Sequence, residues 1–376
     1  MARIALVGPS WPYRGGIAHF QTGMQRALEG AGHDVSAVTF RRQYPELLFP
    51  GTTQFDPGPP PRGLEPAAQL LDSVNPLSWP AAARFVAERA DVAVLSYWMP
   101  FLGPAIGTVA RGLRKRGVTT LAVVHNAIPH ERKPGDLALG RYALRDLDGA
   151  IALSESVEAD LKTLGLEAPI HRIEHPVYSG FGDSVPKAKA RTLLGLEADA
   201  PVFLFFGFIR RYKGLHVLLE AWANVRRRLP AAQLVIAGEF YADEAETRAT
   251  VADLEGVRLE ADYIPDSRVP LYFGAADVVV QPYVSATQSG VAQIAFHFGR
   301  PVITSDVGGL AEIIGDDAGL VVPPDDASAL EDAMVRFVED DLEAELSRGV
   351  ERQRDRFSWD RLVDAVEGLA GVGQEG

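Results

Sequence analysis

The chain begins with the stretch that decides its fold, MARIALVGPSWPYRGGIAHFQTGMQRALEGAGHDVSAVTF, residues 1–40. An apolar run at residues 3–7 is long enough for one buried parallel strand. A loop rich in glycine and proline follows, and the next residues predict a helix over 17–28 that ends at Gly30-Ala31-Gly32. Residues 34–40 predict a second strand. Together these elements predict a βαβ unit, from which parallel sheets are built.

The same alternation of strand and helix continues along the chain. Near residues 178–186, which read YSGFGDSVP, the composition shifts to the residue types of a domain boundary. We therefore predict an α/β fold with two parallel-sheet domains, over residues 1–178 and 179–356. Further strands are predicted at 91–95, 119–124, 150–153, 202–206, 233–237, 257–260, 277–281 and 301–305, and further helices at 107–116, 137–146, 214–228, 244–254 and 290–298.

Residues 44–80 break this alternation. They are rich in turn-forming residues, and prolines stand where a central strand would need amide donors. Loops of this length inside a compact domain are usually functional. We interpret the stretch as a loop that forms part of a binding face.

Composition and charge exclude several classes of protein. The 376 residues include 37 Lys and Arg against 50 Asp and Glu, a net charge of −13, and this field repels nucleic-acid backbones. The chain has no cysteine, which excludes disulfides, thiolate nucleophiles and cysteine-ligated metal sites. The first residues lack the apolar core of a signal peptide, so we expect a cytoplasmic protein. Residues 92–110 carry no charge, but prolines interrupt them, which favours strand, loop and helix over a membrane span.

Two loops in the two halves have features of phosphate-binding sites. Arg14-Gly15-Gly16-Ile17 lies between the first strand and the first helix, where ligands of parallel sheets meet helix amides. A plain tight turn is the alternative. Residues 205–222, FFGFIRRYKGLHVLLEAW, place Arg210, Arg211 and Lys213 after a strand, an arrangement suited to a diphosphate. A solvated basic loop is the alternative there.

A third loop of this kind lies in residues 285–309, where Ser289-Gly290 begins a helix straight after a strand. With all three loops, the chain resembles the retaining glycosyltransferases of family 4, which have the GT-B fold and transfer sugar from a nucleotide sugar. The motifs that carry the resemblance are the early Gly-Gly loop, VVHNAIPHE (123–131), GFIRRYKG (207–214), VIAGE (235–239), residues 285–309 and DVGGLAEII (306–314).

The resemblance covers nearly the whole chain. It implies two Rossmann-like domains that face a central cleft, with the nucleotide sugar held there. It also implies that a last helix, residues 357–370, crosses back to the N-terminal domain. Ser358 is its expected cap, although Arg361 stands where a capping-box glutamate would be. We predict that Leu362 and Val366 are buried against the N-terminal domain.

The resemblance also implies a role for each matching residue. His125 would lie beside the transferred sugar, while Arg210 and Lys213 would neutralise the leaving phosphates. These three are the predicted catalytic residues. The predicted donor-binding residues are Gly15, Gly16, Glu239, Tyr263, Ile264, Gln288, Ser289, Gly290 and Val291.

The basic motif departs from the family pattern. Most members have an arginine directly after its glycine, where this chain has Phe208. We assign the role of that arginine to Arg210, with Arg211 as the alternative.

The family's pair of glutamates is absent as well. Their positions fall on Ala286 and Ile294. Some relatives carry a Gln-Ser-Gly variant, as this chain does from Gln288. Gln288 and Gln293 are therefore the candidates for the missing contact with the donor ribose.

The chemistry implied is a retaining substitution, in which the acceptor attacks the face from which phosphate leaves. Positioning and electrostatic stabilisation would suffice, so neither a protein nucleophile nor a metal or other cofactor is expected. Asp146-Leu147-Asp148 stands between a helix and a strand, where capping is favoured over a metal site. His125, His130 and Glu131 share one loop, but zinc would need further ligands.

The acceptor would lie in the N-terminal domain, and a glycan, a lipid-linked sugar and a small molecule all stay open. Residues 44–80 and the aromatic cluster at 97–101 are candidates, although the cluster could equally be core. The segment RGLRKRG, 111–117, has two interpretations: peripheral contact with anionic lipid, or cations attracted by a helix C-terminus. The sequence does not specify the oligomeric state.

Two other functions compete with a metal-independent, retaining hexosyltransferase of carbohydrate biosynthesis. A sugar-nucleotide epimerase of the same fold would need further acid–base carboxylates. A sugar-nucleotide-binding protein without turnover would fit the missing glutamates.

Overall fold

The computed structural model describes residues 1–45, 53–56, 58–61, 63–129, 133–177, 180–241, 243–286 and 289–372. The chain divides into two compact units. The first unit comprises Met1–Pro176 together with Phe357–Gly376, and the second comprises Val177–Arg356.

The first unit is built on a seven-stranded sheet with the order β3-β2-β1-β4-β5-β6-β7. Every neighbouring pair of these strands is parallel. Its strands are β1 (Arg3–Val7), β2 (Asp34–Arg42), β3 (Ala68–Asp72), β4 (Val92–Tyr97), β5 (Thr119–Val124), β6 (Gly149–Ala152) and β7 (Ile170–Arg172). Its helices are α1 (Gly16–Gly30), α2 (Ser78–Ala87), α3 (Gly103–Arg114), α4 (Asp136–Leu144), α5 (Glu155–Thr163) and, from the end of the chain, α14 (Trp359–Ala370).

The second unit repeats this plan with six parallel strands in the order β10-β9-β8-β11-β12-β13. Its strands are β8 (Val202–Phe206), β9 (Gln233–Ala237), β10 (Val257–Glu260), β11 (Val278–Gln281), β12 (Val302–Ser305) and β13 (Gly319–Val322). Its helices are α6 (Lys187–Leu194), α7 (Leu215–Arg228), α8 (Glu244–Ala252), α9 (Val269–Ala275), α10 (Gly290–His297), α11 (Leu310–Ile314), α12 (Ala327–Glu339) and α13 (Glu343–Gln353). Short 3₁₀ turns cover Pro100–Leu102, Arg211–Lys213, Asp266–Arg268 and Arg354–Phe357.

The prediction of an α/β fold with two parallel sheets is confirmed. All six residues of the central strand β4 are buried, because helices cover both faces of a parallel sheet. In each sheet the strand order reverses once, between β1 and β4 in the first unit and between β8 and β11 in the second. Such a reversal leaves a crevice at the carboxyl ends of the two strands, where parallel sheets bind ligands.

The interpretation of residues 44–80 as a loop throughout was wrong. Ala68–Asp72 forms the edge strand β3, which pairs with β2 through an irregular register, and α2 begins at Ser78. An edge strand needs only one neighbour, so the surrounding prolines do not prevent it from pairing. Residues 46–52, 57 and 62 of this stretch lie outside the described residues.

Helix α14 packs against α1 and the strands β5 and β6 of the first unit. The hydroxyl of Ser358 caps it by accepting a hydrogen bond from the amide of Asp360 at 3.1 Å. Leu362 and Val366 are fully buried, and the ring of Trp359 lies directly over Gly23 on α1. A side chain on Gly23 would meet that ring, so this glycine lets the helix approach closely.

Leu362→Ala should lower the free energy of unfolding by about 2–5 kcal/mol, because it removes a fully buried side chain from this contact. Asp364 is exposed on the same helix and provides the control, since Asp364→Ala should stay within about 0.5 kcal/mol of the wild type. Urea denaturation of the full chain measures both. Equal midpoints for the two variants would contradict the packing described here.

Candidate functional site

The first unit places the Gly15-Gly16 turn at the carboxyl end of β1. Gly15 has a φ of 105°, which other residues rarely adopt, and it directly precedes α1. Having no side chain, Gly15 leaves the positive end of the helix dipole without a side-chain cap. A piece of the 44–80 stretch lies alongside, since the amide of Arg14 donates to the carbonyl of Gln54 at 3.1 Å and Tyr13 pairs with Phe55.

His125 follows β5 directly, and its amide donates to the carbonyl oxygen of Tyr97 at 2.9 Å, which extends the pairing with β4. Its ring meets the edge of Phe20 with centroids 4.7 Å apart. Phe20 makes the same kind of contact with His175 at 5.0 Å, and it also contacts Trp359 of α14 at 5.2 Å. The imidazole therefore packs against α1 through Phe20, and Phe20 in turn packs against the chain's last helix.

Burial lowers the pKa of His125 to about 3, with a further contribution from the neighbouring His175. Burial likewise lowers the pKa of His175 to about 4. Both rings are therefore neutral near pH 7. A neutral imidazole with so low a pKa is a weak base, and it serves as a hydrogen-bonding group rather than a proton acceptor.

Several buried polar atoms at this edge of the sheet have no hydrogen-bond partner within the described residues. They are Nε2 of Gln21, the hydroxyl of Tyr97, Nε2 of His125 and Oδ1 of Asn126. Ser96 donates to Oε1 of Gln21 at 2.8 Å, so only the amide nitrogen of that glutamine is left over. Buried polar groups are nearly always paired. The Tyr97 hydroxyl lies toward Gly140 of α4, on the face of β4 opposite to Ser96 and Gln21. The unpaired atoms of His125 and Asn126, which directly follow β5, indicate a place where a polar ligand binds.

The second unit has a comparable arrangement around Lys213, which lies in the loop after β8 and is only 8% exposed. A Cβ atom on Gly207 would lie 3.2 Å from the Lys213 Nζ and 3.3 Å from a methyl group of Val291. The ammonium group is therefore beside the first turn of α10. Gly214 must be glycine, because its φ is 69° and a Cβ there would lie 1.8 Å from the carbonyl oxygen of Pro282.

Burial, together with the nearby charge of Arg210, lowers the pKa of Lys213 to about 7. Across the part of the chain that the structure describes, no carboxylate lies within ion-pair distance of this ammonium. A buried cation without a counter-ion indicates a site for an anion.

Ser289 caps α10 at the same place, where its hydroxyl accepts from the amide of Val291 at 3.2 Å. Gln281, at the end of β11, donates to this hydroxyl at 3.1 Å, and the Tyr283 hydroxyl lies 3.4 Å away. Gly290 begins the helix. The predicted residues Lys213, Ser289, Gly290 and Val291 are thus brought together at the reversal between β8 and β11.

The side chains of the two arginines in the basic motif have different neighbours. The guanidinium of Arg210 lies 4.7 Å from the ring centroid of Tyr241. Arg211 is instead paired with Asp243 at 3.8 Å, and both of these side chains are exposed. The charge of Arg210 contributes to the lowered pKa of Lys213. The geometry therefore favours Arg210 over Arg211 as the second cation of the site.

The other predicted donor-binding residues follow β9 and β10. Glu239 is buried, and its carbonyl oxygen accepts from the amide of Ile209 at 2.8 Å, which ties the loops after β8 and β9 together. Tyr263 is half-buried and Ile264 is buried beyond the end of β10. Gln288 lies outside the described residues.

Gln293 is fully buried, and within the described residues neither atom of its amide has a hydrogen-bond partner. Gln293 stays a candidate for the contact with the donor ribose. Ala286 and Ile294 are buried and apolar, so the two family positions supply no carboxylate.

Other charged segments make local contacts within the first unit. Asp146 pairs with Arg111 at 2.9 Å, and Asp148 accepts from the amide of Thr120 at 2.8 Å, so both carboxylates have structural roles. Arg116 donates to the carbonyl of Gly112 at the end of α3, which fits the helix-terminus interpretation of the basic segment. His130 and Glu131 lie outside the described residues.

Two kinds of feature are absent from the described part of the chain. No helix there is both long and apolar enough to cross a membrane. No cluster of three or more histidine, aspartate or glutamate side chains found there could hold a metal ion.

Sequence reasoning missed several residues of these sites. Tyr241 and Tyr283 were not singled out, although each lies within four residues of the end of a strand, at the ligand-binding edge. Their short distance in sequence from the end of a predicted strand is the feature by which both could have been recognised. Gln21 and His175 could not be recognised in this way. Gln21 lies on a helix and His175 near a domain boundary, and only the tertiary structure brings them close to the site.

The lowered pKa values of His125 and His175 predict that acid destabilises the protein. Below about pH 6.5 the unfolded chain takes up protons at these imidazoles, whereas the folded chain does so only near pH 3 to 4. The free energy of unfolding should therefore be highest above pH 6.5 and should fall as the pH drops towards 4. Denaturation midpoints measured across this range test the prediction.

His125→Gln should flatten this pH dependence, whereas His171→Gln, at an exposed position on β7, should leave it unchanged. A slope that is the same in His125→Gln as in the wild type would contradict the prediction.

Comparison with known proteins gives consistent matches for both units. A family model described as "Glycosyl transferase 4-like domain" matches residues 15–174, and one described as "Glycosyl transferases group 1" matches residues 200–340. A D-inositol 3-phosphate glycosyltransferase of Acidothermus cellulolyticus is 30% identical over 388 residues, covering 94% of this chain and 85% of that protein. One of Saccharomonospora viridis is 35% identical over 193 residues, covering 48% of this chain and only 44% of that protein.

Among solved structures, Anabaena Alr3699/HepE in complex with UDP and glucose has a TM-score of 0.76 and 17% identity, covering 98% of this chain and 100% of that one. Likeness at this identity shows the fold alone. The sequence matches go further, because one relative is matched along most of both chains and the two family models fall on the two units in turn. This chain therefore belongs to the group 1 glycosyltransferases.

Proposed function

We propose that this glycosyltransferase is retaining and metal-independent, and that its second unit binds the diphosphate of a nucleotide sugar. The observation that carries the proposal is the buried ammonium of Lys213 beside the first turn of α10, whose pKa burial lowers to about 7. Burying a cation without a counter-ion is costly. A bound diphosphate would supply the counter-ion and restore the full charge of the lysine.

The surroundings of Lys213 suit a diphosphate in two further respects. The N-terminus of α10 presents the positive end of a helix dipole, which Ser289 caps through its hydroxyl. Arg210 adds a guanidinium, which can form paired hydrogen bonds to phosphate oxygens. Two cations and a helix terminus would stabilise the charge that develops on the leaving diphosphate.

The proposed reaction breaks the bond between the anomeric carbon of the sugar and the terminal phosphate oxygen. The acceptor hydroxyl attacks the same face of that carbon, and its proton passes to the departing phosphate oxygen. No protein nucleophile takes part, so the enzyme contributes positioning and electrostatic stabilisation. The products are a glycoside with the donor's anomeric configuration and a nucleoside diphosphate.

His125 contributes to this reaction as a neutral hydrogen-bonding group. Its buried Nε2 has no partner within the described residues, and a sugar hydroxyl is a suitable one. A pKa near 3 makes the imidazole too weak a base to remove the acceptor proton. This is why the proton is assigned to the leaving phosphate.

The named relatives indicate the class of donor and acceptor. The similar Anabaena structure holds UDP and glucose, and two relatives matched in sequence are named for D-inositol 3-phosphate. We propose a nucleoside diphosphate hexose as donor. The acceptor is a hydroxyl compound bound by the first unit, either a small phosphorylated polyol or a glycan or lipid-linked sugar.

Incubating the enzyme with a panel of nucleotide sugars, without acceptor and in excess EDTA, tests the function. A glycosyltransferase should slowly hydrolyse one donor and release its nucleoside diphosphate, and EDTA should not change the rate. An epimerase would convert the sugar without releasing it, and a binding protein would do neither. Complete loss of turnover in EDTA, restored by manganese or magnesium, would contradict metal independence.

Lys213→Ala should lower turnover by about 10²–10³-fold, as removal of one oxyanion donor does elsewhere. Arg210→Ala should show a loss of the same kind. Arg211→Ala is the matched control, because this neighbouring arginine is exposed and paired with Asp243, and it should stay near wild-type turnover. Steady-state kinetics on the preferred donor measure all three, and an inactive Arg211→Ala beside an active Arg210→Ala would reverse the assignment.

A further inference from the structure

Three aromatic side chains gather at the carboxyl edge of the second unit's sheet. Phe208 follows β8, Tyr241 follows β9 and Tyr263 follows β10, and these three strands are neighbours in the sheet. All three side chains are half-buried, so part of each ring remains at the surface. The strand order therefore brings together rings that are far apart in the sequence.

Neither contact of Phe208 within this group is edge-to-face. Phe208 and Tyr241 have centroids 4.8 Å apart and planes tilted by 33°, and Phe208 and Tyr263 have centroids 6.5 Å apart and planes tilted by only 23°. Most aromatic contacts elsewhere in this unit are instead edge-to-face, such as that of Phe203 with Trp222 at 73°. Rings that lie nearly parallel at a surface form a platform on which another planar ring can stack.

The platform adjoins the cations of the proposed diphosphate site. The guanidinium of Arg210 lies 4.7 Å from the ring centroid of Tyr241, and the charge of Arg210 reaches Lys213. The loop after β8 thus presents an aromatic ring, a guanidinium and an ammonium in succession. A nucleoside diphosphate has a matching order, with a planar base at one end and two phosphates at the other.

We propose that Phe208, supported by Tyr241 and flanked by Tyr263, stacks against the base of the donor nucleotide. This inference rests on the proposed function and deepens it, because it assigns a ligand-binding role to the residue that replaces the family's arginine. Stacking does not depend on hydrogen-bond patterns, since every base has a flat face. Phe208 therefore increases the affinity for any base, and other groups determine which base is preferred.

Calorimetric titration of the full chain with UDP, GDP, ADP and inorganic pyrophosphate tests the proposal. Phe208→Leu removes the ring and keeps an apolar side chain, whereas Phe208→Tyr keeps the ring. We expect Phe208→Leu to weaken the best-bound nucleotide by about 5–100-fold, the range for loss of one stacked base, and to leave pyrophosphate unchanged. Phe208→Tyr should bind both like the wild type.

Tyr263→Leu provides a second variant, in case Phe208→Leu disturbs the loop, and it should show the same selective loss. Lys213→Ala should weaken nucleotide and pyrophosphate alike, since both carry the diphosphate. Equal nucleotide affinity in Phe208→Leu, Tyr263→Leu and the wild type would overturn the stacking role while leaving the proposed function in place. A wild type that binds pyrophosphate and every nucleotide equally would overturn the stacking role alone, and one that binds none of the four ligands would overturn both.

Discussion

Parallel strand pairing is the constraint on which the rest of this structure depends. Every neighbouring pair in both sheets is parallel, so helices must cover both faces and only the strand ends reach solvent. Polar chemistry is thereby confined to the loops at those ends. The candidate residues of both units lie there: His125 directly follows β5, and Lys213 lies in the loop after β8.

Burial at these strand ends changes the chemical character of the charged groups. Lys213 lies among Gly207, Val291 and the ring of Tyr283, and burial lowers its pKa to about 7. His125 and its neighbour His175 are neutral for the same reason. On folding, these groups lose their contacts with water. A bound ligand can supply hydrogen bonds or an opposite charge in place of that water. Such perturbed groups are typical of functional sites rather than of stable cores.

Much of the fold could be predicted from the sequence, because buried parallel strands are short apolar runs. The predicted strand at residues 119–124 coincides with β5, and the one at 233–237 coincides with β9. The edge strand β3 could not be recognised, since Gln69 and its half-buried neighbours lack such a run. The burial of Lys213 could not be predicted either. A lysine between a tyrosine and a glycine is typical of a solvated loop, and only the tertiary structure buries this one.

The substitutions at the positions of the family pattern partly compensate one another in charge. Relative to that pattern, Phe208 removes one positive charge, whereas Ala286 and Ile294 remove two negative charges. The net change at these three positions is one positive unit, which suits the diphosphate site that we propose. Arg210, two residues further along, keeps a cation near Lys213. The ring of Phe208 contacts those of Tyr241 and Tyr263, as the proposed stacking on the donor base requires.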